Sequence, residues 1–295
     1  MHPTDFADRD KVVKHNIYAS VRRRDGLPHE AFANYWRDVH STLCSRLPGL
    51  NFYVQQHFDR DHYANLWPLP DGMARIVTPL DGSAELGFAN VTEQAIFAEA
   101  GKILYADEAN FIGESIAYNL PHGSLTLVDK QQDPAPNGPD PFHRIHVYMS
   151  RRPGKDGTAW LTETSRALAS SDAIVKWKLH LPEAYDNARP APPAPNVDHV
   201  VGADRLHLAV AEIAFASPLA AQSLFISARF KEMLSEQPQY VDAVGVYRVT
   251  GFYTLVRDGR PTTAGLRGSR AAELISSMGA LNQLDGGVTG IFRPR

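Results

Sequence analysis

The sequence predicts an α+β fold in which two ferredoxin-like βαββαβ units follow in tandem and form a pseudo-two-fold barrel. The main observation is an internal repeat. "HNIYASVRRRDG" at His15 resembles "HRIHVYMSRRPGKDG" at His143, 128 residues later. "ELGFANVTEQAIF" at Glu85 resembles "EIAFASPLAAQSLF" at Glu212, 127 residues later. Two matches at nearly one offset predict a duplicated structural unit.

Each half shows the same order of elements. A strand of period two, with Ile17, Ala19 and Val21 on one face, leads through a basic turn into a helix. That helix is predicted over Pro28–Leu47 in the first half and over Thr158–Ala169 in the second. Two strands, a second helix and a fourth strand follow. The resulting βαββαβ order is that of the ferredoxin-like unit.

The repeat also predicts the domain boundaries. We expect a first unit over residues 12–128, a linker over 129–141, a diverged second unit over 142–257 and a C-terminal tail over 258–295. The linker, "DKQQDPAPNGPDP", is rich in proline and charge. Because helices cover only one face of such a sheet, the two units are expected to cover each other, sheet on sheet.

Composition narrows the class of protein. The 295 residues are 43% hydrophobic and carry a formal charge of -3, which favours neither nucleic acid nor an anionic membrane as partner. No apolar run approaches the roughly 20 residues of a membrane span. The polar N-terminus is no secretory signal, and the single Cys44 excludes an internal disulfide. We therefore expect a cytoplasmic protein without a structural metal.

The segment "RRRDGLPHEAFANYWRDVHSTLCSRLPGLNFYVQQHF" resembles the EthD family of the dimeric α/β-barrel superfamily. It shares a basic turn, then "F..YW...H", then "LPGL..Y...H", and the resemblance is strong over Ile17–Phe58. Single-domain members make the barrel from two chains, so tandem units would make a pseudo-two-fold dimeric α/β-barrel from one. The resemblance implies a cofactor-free enzyme with a histidine-bearing pocket for a small aromatic substrate. A homodimer of this chain stays open.

His40 is the leading candidate for a catalytic residue. Phe32, Trp36 and His40 are spaced i, i+4, i+8 and stack on one helical face. An imidazole there is partly desolvated and neutral near pH 7, as a general base requires. The second half lacks this motif, and Leu168 stands 128 residues after His40. This asymmetry favours a catalytic histidine over a packing histidine.

Other candidates lie on the strands and loops. Tyr53 and His57 alternate onto one face of strand two and are predicted to assist His40. His57 and His180 are expected at strand ends related by the pseudo-two-fold axis, where they could serve two pockets. The alternative is that both are exposed polar residues at strand termini. Glu85 and Glu212 are expected to form structural ion pairs, with Arg22 or Arg23 as a partner. The predicted substrate-binding residues are Arg22, Tyr18, Trp36, Tyr35, His146, His180 and Trp67.

The predicted function is a cofactor-independent lyase for an aromatic or phenolic carboxylic acid, most simply a decarboxylase. Arg22 or a second-half histidine would hold the acid, and His40 would move the proton. No metal ligand set is evident. A cyclase or isomerase in the same pocket, a non-catalytic binding module and a haem oxidase are the alternatives.

Overall fold

The computed structural model describes residues 4–59, 66–190 and 194–292. Residues 60–65 and 191–193 lie outside the described residues, as does the end of the predicted tail, 293–295. The strands are β1 His15–Arg23, β2 Phe52–Asp59, β3 Ala74–Arg75, β4 Gly82–Phe88, β5 Ile112–Leu120, β6 Leu125–Asp129, β7 Asn137–Pro139, β8 His143–Arg151, β9 Ile174–His180, β10 Leu208–Phe215, β11 Val241–Arg257 and β12 Arg260–Pro261. The helices are α1 His29–Tyr35, α2 Ser41–Cys44, α3 Val91–Ala100, α4 Lys102–Glu108, α5 Gly157–Ala169, α6 Pro218–Phe225, α7 Ala228–Glu236, α8 Thr263–Arg267, α9 Ser269–Ser277 and α10 Gly286–Gly290. No helix in these described ranges is long and apolar enough to cross a membrane.

All the strands belong to one sheet, whose main path is β5-β1-β4-β2-β11-β8-β10-β9-β6. Each half contributes four strands in the same order, fourth-first-third-second, which is the order of a ferredoxin-like sheet. The α+β prediction is confirmed. The two halves share one continuous sheet, because β11 joins them. Its first part, Val241–Arg248, pairs with β8, and its second part, Arg248–Val256, pairs with β2.

Four hydrophobic clusters lie on the two sides of this sheet, three of them large and one formed by Phe52, Val54 and Phe252. One cluster packs the first-half helices on the sheet and includes Phe32, Trp36 and Phe97. A second packs the second-half helices and includes Trp160 and Phe230. The third joins the opposite faces of the two halves and includes the rings of Tyr18, Phe58, Tyr118, Tyr148 and Tyr247. Each half therefore has a helix-covered outer face and an inner face that is buried against the other half.

The first predicted helix, Pro28–Leu47, is interrupted by one wider turn. Residues Trp36–His40 form a π-helical turn between α1 and α2, and the Ser41 N–H donates to the Trp36 carbonyl. Such turns insert one extra residue and are frequent at functional sites. Trp36 then packs closely on the sheet at Gly82, where a Cβ would come within 2.5 Å of the indole ring.

The strand register corrects the predicted correspondence between His57 of the first half and His180 of the second. Ser83 faces Gln56 across the β4–β2 pair, while Val210 faces His180 across β10–β9. Val210 is the repeat partner of Ser83, so His180 corresponds to Gln56 and not to His57. A shift of one residue turns a side chain to the other face of a strand. His57 therefore lies on the helix-covered face and His180 on the inner face.

The inner face carries a buried ion-pair network that crosses between the halves. Lys178 of β9 donates to Glu85 of β4 at 2.7 Å, and both side chains are almost fully buried. Glu212 of β10 receives the guanidinium of Arg144 and, at 3.1 Å, the amide of Gln56 from the first half. Burial alone would raise the pKa of Glu212, but Lys176 and Arg144 hold it well below its usual range.

The predicted arginine partners of the repeated glutamates are therefore wrong. Arg22 pairs at 2.9 Å with the exposed Asp25 in the turn after β1. Arg23 pairs with the buried Asp81 at 2.6 Å. The turn places both arginines at the end of β1, whereas Glu85 faces the inner side of the sheet beside Lys178.

Replacing Lys178 by methionine should destabilise the fold strongly. The change leaves the Glu85 carboxylate buried without its cation, and breaking a buried pair costs about 3–5 kcal/mol. Urea unfolding at pH 7 measures this free energy. Arg22→Ala, which removes an exposed pair, is the control and should cost no more than about 1 kcal/mol. Equal stability of Lys178→Met and the wild type would show that the network does not hold the halves together.

Candidate functional site

A mostly apolar cavity of about 190 Å³ lies between the first-half helices and the outer face of β1, β2, β4 and β5. It belongs wholly to the first half of the chain. A cavity of about 150 Å³ lined by apolar residues can hold benzene, so this one suits one or two fused rings. Its walls are formed by Ile17, Ala19, Val21, Trp36, His40, Cys44, Tyr53, Ala84, Leu86, Phe97, Ala98, Gly101, Leu104, Tyr105, Glu108, Ile112, Ser115 and Ala117.

His40 reaches this cavity and is oriented by a carboxylate. Its Nδ1 lies 2.8 Å from Oδ2 of Asp107, and the Tyr35 hydroxyl donates to the other oxygen of Asp107 at 2.5 Å. The hydrogen bond from His40, with help from Tyr35, lowers the pKa of Asp107. An ionised Asp107 keeps the proton of a neutral imidazole on Nδ1, which leaves Nε2 as the acceptor for a molecule in the cavity.

The fold brings the two partners together from distant elements. The π-helical turn ends at His40, and Asp107 lies in the last turn of α4. The imidazole also packs on the ring of Phe111, with 5.1 Å between ring centroids. Phe111 follows α4 closely, so the same chain segment positions the histidine from two sides.

Sequence reasoning missed Asp107 and its neighbour Glu108, which lie in the last turn of α4. The signal was present. Two acids in the last turn of a helix oppose its dipole, which favours basic residues there. α4 has no basic residue in its last turn to offset them. An acid pair at such a position is a reason to look for a partner, which Asp107 finds in His40.

The other polar groups of the cavity wall are held neutral. The Gln55 amide donates to the Tyr53 hydroxyl at 2.7 Å and to the Trp36 carbonyl at 3.1 Å. Burial raises the pKa of Tyr53 well above its usual value, and burial likewise raises that of Cys44. Both therefore keep their protons near pH 7, so Tyr53 can donate a hydrogen bond and Cys44 is no thiolate nucleophile.

Glu108 completes the polar part of the wall. Its side chain is buried, and burial raises its pKa to about 7. Its Oε2 has no hydrogen-bond partner among the described residues. The cavity thus combines a histidine held by a carboxylate, a neutral phenol and a carboxyl group that is partly protonated at neutral pH.

Three predicted site residues lie near this cavity but not all of them line it. Trp36 forms part of the wall, and Tyr35 acts through Asp107. His57 stacks on the Trp36 ring at 4.7 Å, nearly parallel to it, and is therefore separated from the cavity by the indole. Burial lowers the pKa of His57 to about 3, so it is neutral.

The remaining predicted residues lie elsewhere. Arg22 is in the exposed turn with Asp25, and Trp67 packs on Phe230 in the second-half core. Tyr18 lies on the inner face, where its hydroxyl is 2.7 Å from Nδ1 of His146. His180 is also there, 2.8 Å from Ser124 and with its ring 4.8 Å from that of Tyr18. The structure thus divides the predicted set between an outer cavity and an inner polar cluster.

Neither a metal nor haem fits these two places well. Ligand atoms of Glu85, His180 and Glu212 lie within 4.8 Å of one another. However, Lys178 and Arg144 already neutralise the two carboxylates, so a divalent cation would add uncompensated buried charge. The outer cavity is smaller than the 300 Å³ or more that drug-sized ligands occupy, and haem is larger than these.

Residues 24–115 match the family model described as the EthD domain. This part of the chain is therefore similar to an EthD domain. The match contains His40, Asp107 and Glu108 and most of the cavity wall. The resemblance predicted from the first-half motifs is confirmed, and the second half lies outside the match.

One solved structure supports the fold, and two others are similar to a lesser degree. A proposed monooxygenase of Fusobacterium nucleatum superimposes with a TM-score of 0.50 at 7% identity, covering 85% of this chain and 97% of that one. A proposed monooxygenase of Lactobacillus acidophilus gives 0.48 at 9% identity, with coverages of 83% and 97%. An anthrone oxidase-like protein gives 0.49 at 7% identity, with coverages of 82% and 93%. A search of curated proteins found no significant match.

The prediction of a decarboxylase-type lyase is wrong by this comparison. The F. nucleatum structure, which superimposes with a TM-score of 0.50, carries the name of a monooxygenase and not of a lyase. The geometry gives a reason as well. Arg22, which was expected to hold the substrate carboxylate, does not reach the cavity, and the described lining contains no arginine or lysine.

His180→Gln should make the protein more resistant to mild acid. Burial lowers the pKa of His180 to about 3, whereas an unfolded histidine titrates near 6.5. Below about pH 6.5 the unfolded state binds a proton at His180, whereas the native state binds it only below about pH 3. The free energy of unfolding therefore falls as the pH falls through this window. Glutamine copies Gln56 of the first half and does not titrate.

Urea unfolding at pH 7 and pH 5 measures the effect. The wild type should lose about 2 kcal/mol more than His180→Gln between these pH values. His57 and His146 are present in both proteins and serve as an internal control, because burial also lowers their pKa values to about 3. Identical losses in the two proteins would contradict a neutral buried His180.

Proposed function

We propose that this protein is an oxygenase whose EthD-like domain binds a weakly acidic compound of one or two fused rings. His40 removes a proton from the bound compound, and the resulting anion reacts with O₂. We further propose that the two halves arose by tandem duplication and that the first half alone kept a working pocket. A homodimer and a cytoplasmic location remain compatible with this function.

The observation that carries the proposal is the His40–Asp107 pair at the wall of an apolar cavity. The 2.8 Å contact fixes the ring and its tautomer, so that the unprotonated Nε2 is available. A positioned histidine of this kind contributes about 10²–10⁴-fold to a proton transfer. The apolar lining favours a ring-bearing substrate over a charged one.

The oxidative step is suggested by the name of the F. nucleatum structure, and its chemistry balances without a further reductant. A ring-flanked CH₂ next to a carbonyl loses one proton to His40 and forms an enolate. The enolate gives electrons to O₂, and a C–O bond forms at the former CH₂. Loss of the second hydrogen and cleavage of the O–O bond give a new C=O group and one water. Both oxygen atoms and all four electrons are then accounted for.

Deuterium exchange into 2-tetralone tests the proton transfer without requiring oxidation. The protein under nitrogen in D₂O should exchange the CH₂ between ring and carbonyl, and NMR follows the loss of that signal. His40→Ala should slow this exchange about 100-fold or more, and Asp107→Asn should slow it less. His29→Ala, on α1 but not part of the cavity wall, is the matched control and should exchange normally.

Oxygen uptake tests the second step. In air, a turning-over substrate should consume one O₂ per molecule and yield the ketone, with no added reductant. Exchange at the wild-type rate in a folded His40→Ala variant would exclude His40 as the base. Exchange without oxygen uptake would remove the oxygenase assignment. Binding of 2-tetralone with neither exchange nor oxidation would leave a non-catalytic binding module.

A further inference from the structure

Glu108 differs from the other buried glutamates of the described chain. Glu85 has Lys178 and Glu212 has Arg144 as a close cationic partner. Both terminal guanidinium nitrogens of Arg205 donate hydrogen bonds to the carboxylate of Glu114. Glu108 is buried to a similar degree, yet no described residue gives it a cation or a hydrogen bond to Oε2.

A carboxylate in this position is costly for two reasons. Burying it without a partner is unfavourable by several kcal/mol. The C-terminal turn of α4 adds a second penalty, because the helix dipole disfavours negative charge there. A purely structural role would be filled better by glutamine or leucine. The Glu108 side chain instead forms part of the cavity wall, together with His40 and Tyr105.

The protonated form removes both penalties and changes what the side chain can do. Burial and the charge of Asp107 raise the pKa of Glu108, and the nearby His40 moderates the rise to about 7. A neutral carboxyl group has an O–H that can donate a hydrogen bond, which a carboxylate cannot. Within the described wall, such a donor has no protein acceptor, so its natural acceptor is the ligand.

We propose that Glu108, as a neutral carboxylic acid, donates a hydrogen bond to a carbonyl or phenolic oxygen of the substrate. This inference rests on the proposed function, since it stabilises the negative charge that forms on that oxygen when His40 removes the proton. The C–H bond breaks, the proton moves to Nε2 of His40, and the electron pair moves onto the oxygen held by Glu108. The substrate class narrows accordingly to ring compounds whose acidic hydrogen lies next to a carbonyl, or to phenols.

The pH dependence of 2-tetralone exchange tests this role. Wild-type exchange should decline above about pH 7, as Glu108 ionises. Glu108→Gln keeps a neutral donor, so it should keep activity within about tenfold and lose that decline. Glu108→Leu lacks any donor and should lose about 10²–10³-fold, the usual effect of removing one such donor. Thermal unfolding should show that the Leu variant is at least as stable as the wild type, which excludes misfolding.

A second readout does not depend on His40. In 2-tetralone labelled with ¹³C at the carbonyl, the carbonyl resonance should move downfield on binding to the wild type, to His40→Ala and to Glu108→Gln. On binding to Glu108→Leu it should not move downfield. Normal exchange in His40→Ala would therefore overturn the proposed function while this shift still supported donation by Glu108. The Glu108 proposal itself is overturned if Glu108→Gln is as inactive as Glu108→Leu, or if the carbonyl shift persists in Glu108→Leu.

Discussion

The organisation of this protein depends on how the two inner sheet faces cover each other. A sheet with helices on one side must bury its other side, and here each half uses the other for that purpose. Tyr18 meets His146 across the interface, and Lys178 of one half neutralises Glu85 of the other. Because this region is filled with rings and ion pairs, the apolar cavity for a ligand lies on the outer side, under the helices.

The cavity itself follows from two local features of the first half. A π-helical turn ending at His40 aims the imidazole toward the sheet, and Gly82 lets the Trp36 ring lie close against β4. α4 then brings Asp107 and Glu108 to the same wall. A base with a fixed tautomer and an acid without a partner thereby face one apolar space. This combination is typical of enzymes that stabilise an anion, in which one group takes a proton and another holds the developing charge.

The second half keeps the strand order of the first half but lacks the histidine of its first helix. Its strand order repeats that of the first half, and its glutamate lies at the same register beside His146 as Glu85 does beside Tyr18. Its first helix, α5, has no π-helical turn and no histidine. The buried charges of the second half lie instead at the interface with the first half, where Lys178 pairs with Glu85 and Glu212 accepts from Gln56.

The sequence by itself determined the order of elements and the internal repeat, and it singled out His40 as a candidate. Hydrophobic period, turn residues and a family-like motif are local signals, and they predict local structure well. Only the tertiary structure decided which polar groups meet. A one-residue difference in register sends His180 inward and His57 outward. The partners Asp107 and Lys178 lie 67 and 93 residues from His40 and Glu85, and no periodic pattern connects positions so far apart. Distances of this kind are set by sheet pairing and helix packing, and these emerge only when the whole chain folds.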